Sequence, residues 1–295
     1  MKKFLSNKVA LLLFITPALL IFTFLTVVPV LSSLRYMFYD GMPGVNFEYV
    51  GMKNIREAVH DAKLWKYVGN NLKMILVVGI GEVGLGFLYA LLVRYGVRRF
   101  KNFVRVAIFL PFVLPTVAVG MLFKKIFAVA PQYGLLNALL DMVGAKGLIR
   151  GWTGESATAL YTVCAVIIWK GAGFYCLIFY SAMMEISSDL HEAAMIDGAS
   201  LGQEITRIQI PMLKPVFRTA FILTLTGNFK AYDSVVALTG GGPGDASYVP
   251  ALYMYNTAFS YMRYGYGSVI AIFILLECLF ATAVVTWLMR KDNLV

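Results

Sequence analysis

Six stretches of the chain stay apolar for about the 20 residues that a helix needs to cross a bilayer. They cover residues 9–31, 72–93, 106–127, 157–184, 218–238 and 268–289. Polar residues gather between them, most densely over 185–217. The pattern predicts an all-α, polytopic membrane protein with six transmembrane helices, forming one membrane domain over 1–295. No internal repeat or low-complexity tract interrupts it, and no polar segment is long enough for a nucleotide-binding domain. The first run follows Met1-Lys2-Lys3, as a secretory signal would, but it is long for one and no A-x-A site follows. It is therefore expected to remain as the first span.

Composition supports the same class. Hydrophobic residues make up 59% of the chain and charged residues 14%, against roughly 25% charged in soluble domains. So apolar a chain is not a disordered one. Three cysteines, all inside apolar runs, do not make a disulfide scaffold. The net charge of +10 lies mostly between the apolar runs. No basic face with interleaved aromatics points to nucleic acid. With the N-terminus inside, the inner segments hold 13 Lys and Arg in 60 residues and the outer ones 8 in 97. Arg94, Arg98, Arg99, Lys101 and Arg105 carry much of this bias, while Lys124 and Lys125 oppose it. Both termini and the 185–217 loop are thus expected in the cytoplasm. Trp65, Tyr67, Trp152, Tyr248 and Tyr264 fall in the outer loops, as an interfacial aromatic belt would.

Motifs for catalysis fail in context. Gly79-Ile80-Gly81-Glu82-Val83-Gly84 matches G-x-G-x-x-G, but it lies mid-run, and no acid follows until Asp141. Close helix packing is the better reading. The Gly240–Gly244 cluster lacks the Lys-Ser or Lys-Thr of a phosphate loop and reads as a turn or a close backbone approach. Neither His60 nor His191 belongs to a metal motif, and nothing resembles a nucleophile elbow. No catalytic residue and no metal site are expected, and the chain is not read as an enzyme.

The 185–217 loop carries more pattern. Asp189 to Glu192 has capping-box spacing, predicting a short helix from about Leu190. Ala194 and Gly198 share its face, Gly198-Ala199-Ser200 allows a turn, and a second helix over 201–210 follows. Pro211 and Pro215 are expected to end it. Two short helices joined by small residues suggest a docking element rather than a loop resting on the membrane.

Five ionisable residues lie inside the runs: Glu82, Lys170, Lys230, Asp233 and Glu277. A charge at the bilayer centre costs at least about 2.5–3.5 kcal/mol, so such residues pair or face water. Two readings stand open. They form structural ion pairs, Lys230 with Asp233 for example, or they line a polar solute path. On the second reading, Asn228, Tyr232 and Trp169 would add hydrogen bonds and a stacking surface.

Glu192-Ala193-Ala194-Met195-Ile196-Asp197-Gly198-Ala199, followed by Ile208-Gln209-Ile210-Pro211, resembles the EAA loop of binding-protein-dependent ABC importer permeases. Further segments resemble the carbohydrate-uptake branch of that family. They are Tyr49-Val50-Gly51 with Asn54, Arg105 with Phe109-Leu110-Pro111, Gly134-Leu135-Leu136-Asn137, Trp169, Thr239-Gly240-Gly241-Gly242-Pro243, Ala258-Phe259 and Gly265 to Gly267. The resemblance implies a permease in a prokaryotic inner membrane, paired with a second homologous permease subunit. Glu192, Ala193, Ala194, Asp197, Gly198, Ala199, Ile208 and Pro211 would form the surface that docks on a cytoplasmic ATPase dimer. ATP and Mg would sit on that partner, with no cofactor on this chain. An extracytoplasmic binding protein would deliver a sugar or oligosaccharide. An ABC permease for a non-sugar solute such as glycerol-3-phosphate is one alternative. A secondary, ion-coupled transporter is the other, but it leaves the docking loop unexplained.

Overall fold

The computed structural model describes residues 8–97 and 99–289, so Met1, Lys2, Lys3 and Arg98 lie outside the described residues. The described residues are all-α apart from one hairpin of two-residue strands. Among the described residues four helices are long and apolar enough to cross a membrane: Leu12–Tyr36, Ala62–Gly96, Ala159–Met184 and Tyr264–Leu288. Two bent pairs add two more spans if each pair counts as one.

The first bend corrects the expectation of an unbroken third span, and the second falls where the loop meets the fifth run. Helices Lys101–Val113 and Thr116–Ile126 meet at 97°. Pro115 lacks an N–H and pushes Leu114 out of the helical region, to φ −66° and ψ 139°. Helices Leu201–Met212 and Lys214–Asn228 meet at 66°. Pro211 does not end the first of these. It lies inside Leu201–Met212, and Pro215 sits in the first turn of the next helix. The 218–238 run, expected unbroken, is itself broken after Asn228, and helix resumes at Asp233–Leu238. The second span starts ten residues before its predicted 72. Its polar opening turns bind the glycine loop: Asn70 donates to Tyr248 O (3.0 Å) and Tyr67 to Asp245 (2.9 Å).

The chain groups into two compact units. One comprises residues up to Ala62 with Tyr253–Phe273. In it, Tyr39–Asp40 pairs antiparallel with Glu48–Tyr49, and Gly51 turns with φ +59° into the Lys53–His60 helix. Buried Asn54 donates to the Met37 and Tyr39 carbonyls at 3.1 and 2.7 Å. Arg263 binds Glu57 through two hydrogen bonds, and Asp61 accepts from Tyr253 and Tyr266.

The other unit comprises Lys63–Leu252 and residues from Ile274 onward. Val83, Ala90, Tyr175, Phe179, Met183, Leu213 and Ala220 belong to its core. Helix Lys101–Val113 lies along Ala159–Met184, and Thr116–Ile126 along Asp233–Leu238. Gly173 lets the Ile108 carbonyl approach, where a Cβ would collide. Gly79 and Gly81 face Thr224 and Ile168 on neighbouring helices, as close packing requires, whereas Gly84 faces open space.

Candidate functional site

A cavity of about 420 Å³ lies at the break of the fifth run in the larger unit. Glu82, Thr116, Lys170, Thr224, Asn228, Lys230 and Asp233 line it, with Phe112, Phe174 and Tyr175. Residues 229–232 form a tight turn, with the amides of Lys230 and Ala231 bonded to Gly227 and Asn228 carbonyls (3.2 Å each). Each polar group has a place in this wall. Thr224 donates to Glu82, and Asn228 donates to the Thr224 carbonyl at 2.8 Å. A Cβ at Gly171 would strike the Glu82 carboxylate, so this glycine makes its room. Lys170 donates to Thr116 at 2.6 Å, a contact that depends on the bend at Pro115. Lys230 and Asp233 make no ion pair with each other among the described residues.

Five of the eight midplane residues named from sequence thus share one cavity. The other three do not line it. Trp169 packs edge-on against Phe123, with ring centroids 5.0 Å apart. Tyr232 belongs to the turn but lies outside the lining. Glu277 is half-buried in the last helix, and its Oε2 has no hydrogen-bond partner among the described residues. Thr116, Gly171 and Thr224 escaped the sequence reading, because a small residue in an apolar run barely changes hydropathy. The i, i+4 spacing of Thr224 and Asn228 was the available signal.

The 185–217 loop folds as two helices, Ser188–Ile196 and Leu201–Met212. The first begins two residues earlier than predicted. Ser187, not Asp189, is its N-cap, accepting from the Asp189 amide. The capping box stands instead on the second helix, between Ser200 and Gln203. Gly198 turns the chain between them at φ +72°, where a Cβ would be strained but would meet no other atom of the chain. Glu192, Ala193, Asp197 and Gly198 are exposed, Ala199 and Ile208 half-buried, and Pro211 exposed. Ala194 is the one buried residue of the first helix. Ile196 is 86% exposed, beside exposed Met195 and Leu190.

The second helix is tied inward at Glu204, which is 6% exposed. Its carboxylate is 2.9 Å from His191 Nδ1 and accepts from Tyr95 (2.9 Å) and Gln209 (2.7 Å). Burial raises the carboxyl pKa, but the hydrogen bonds from Gln209 and Tyr95, with His191 close by, outweigh it and hold Glu204 below the ordinary carboxylate range.

Apolar spanning helices around a polar cavity, with an exposed apolar two-helix loop, define a membrane transport protein. Residues 82–291 match the family described as binding-protein-dependent transport system inner membrane component. The chain belongs to that family, and it is a transport permease. A probable ABC transporter permease of Bacillus subtilis, YurN, is 32% identical over 273 residues, 92% of each chain. The multiple sugar-binding transport system permease MsmF of Streptococcus mutans is 34% identical, over 77% of this chain and 76% of its own. The fold also matches a chain of the bacterial alginate ABC transporter solved with an alginate pentasaccharide-bound periplasmic protein. The TM-score is 0.85 at 20% identity, covering 98% of this chain and 96% of that one.

Proposed function

We propose that the chain is the permease subunit of an ATP-driven importer for a sugar or oligosaccharide. An extracytoplasmic binding protein delivers the solute, and a second homologous permease completes the path. Both termini and the two-helix loop face the cytoplasm, where Glu192, Ala193, Asp197, Gly198 and the apolar side chains beside them meet an ATPase dimer. ATP and Mg belong to that partner. Glu82, Lys170, Asn228, Lys230 and Asp233 contact the solute.

The observation that carries this reading is the cavity at the helix break. Charged and amide groups there lie beside a stacked pair of rings, Phe112 and Phe174, 4.8 Å apart. Sugars present hydroxyls to the first kind of surface and apolar faces to the second. The sugars named for the Streptococcus relative and for the alginate transporter of like fold agree with it. Lys230 and Asp233 do not pair with each other among the described residues, which removes that particular structural role. The test is reconstitution of the permease pair with its ATPase and binding protein in liposomes. ATP-dependent uptake of labelled oligosaccharide is expected. Uptake driven by an ion gradient with no ATPase present would overturn the reading.

A further inference from the structure

The helix Ser188–Ile196 buries only Ala194 of its own residues, and it joins the next helix through a turn at Gly198. Such a helix can swing about that turn unless a side-chain contact holds it. Among the described residues a polar contact across the turn is His191 Nδ1 with Glu204 Oε2, 2.9 Å apart but outside hydrogen-bond geometry, an ion pair when the imidazole is protonated. Glu204 lies beyond the turn, and it also binds Tyr95, at the far end of the Ala62–Gly96 helix, at 2.9 Å. Gln209, 1% exposed, donates to both Glu204 and Tyr95 and closes the cluster. One buried carboxylate therefore joins three elements: the helix before the turn, the helix after it and the second span.

We propose that Glu204 is a positioning residue for energy coupling, a clamp that makes the Ser188–Ile196 helix, the Leu201–Met212 helix and the end of the second span move as one body. The proposal rests on the reading that this loop docks on an ATPase. With the clamp in place, displacement of the docked helix reaches the span directly. With it removed, the helix turns about Gly198, and ATP is hydrolysed without the span following.

The test uses the assembled permease–ATPase complex with spin labels at Ser188→Cys and Leu92→Cys, both exposed positions. Their separation is measured by pulsed electron resonance without nucleotide and after trapping with ATP and vanadate. Without further substitution the distribution is expected to keep its width on trapping. Glu204→Ala should broaden it while the complex still assembles and hydrolyses ATP. Tyr95→Phe, which keeps the ring and removes one hydroxyl, should broaden it less. Glu204→Gln, which keeps an acceptor oxygen for Tyr95, should restore most of the original width. A Glu204→Ala distribution as narrow as the parent's after trapping would overturn the clamp. An ATPase that fails to co-purify with the parent permease would instead overturn the docking reading, and the clamp with it.

Discussion

Gly198 restricts replacement through its backbone alone. Its φ of +72° suits glycine, and next best asparagine, while other L residues pay about 1–2 kcal/mol to stay left-handed. Inside the chain a Cβ there meets open space, so any steric exclusion has to come from a partner. Gly198→Trp is expected to abolish co-purification of the ATPase, and Gly198→Asn to preserve it. Wild-type association with Trp would remove Gly198 from the docking surface. Lys230 and Asp233 make the second case. A structural pair would show lost complex yield in each single variant and recovery in the double. The geometry predicts otherwise. Lys230→Met and Asp233→Asn should each lower uptake at unchanged yield, and the double variant should not recover. Charged residues in apolar runs were conspicuous in the sequence. The hydroxyls that hold them, Thr116 and Thr224, were not, because one oxygen on a small side chain leaves the apolar pattern intact.

At the scale of elements, hydropathy located the runs and missed where they bend. Averaging over some 19 residues cannot register two residues, Leu114 and Pro115, that turn a helix by 97°. Proline itself was the legible sign, and the run of apolar neighbours overrode it. The second span began early for the opposite reason: Asn70 and Tyr67 read as loop residues until their partners across the fold are seen. The bend at Pro115 also has a use, since it sets Thr116 against Lys170 at 2.6 Å. Pro115→Ala restores an amide and lets Leu114 become helical. It is expected to lower uptake by the reconstituted importer at least as much as Thr116→Ala, because both take the hydroxyl from Lys170. Uptake at the parent rate in Pro115→Ala would deny the bend that role. The paired short helices of the loop were legible from proline, glycine and small-residue spacing. Their caps were misplaced because Ser187 and Ser200 compete with Asp189 for the same chemistry.

For the whole molecule, apolar content alone declared a membrane protein, and one loop motif declared the family. Orientation rests on charge bias and is open to direct measurement. In a cysteine-free background, an impermeant thiol reagent on intact cells should label Val143→Cys and spare Ser188→Cys. Both sites are exposed, whereas Ser247 in the glycine loop is buried and would report nothing. The reverse pattern would invert the topology. The turn at 229–232 has one more consequence, an electrical one. An unbroken helix insulates. Two helix ends meeting inside an apolar run leave backbone groups without intrahelical partners, and lipid cannot satisfy them. The turn's own amides bond within the chain, and the remaining groups have to be met by the polar side chains of the cavity or by water entering it, so this cavity is a conductor in waiting. The seal that protects the cell's ion gradients then has to lie toward the ends of the path, and a variant that loosens an end should register as membrane leak before solute uptake changes.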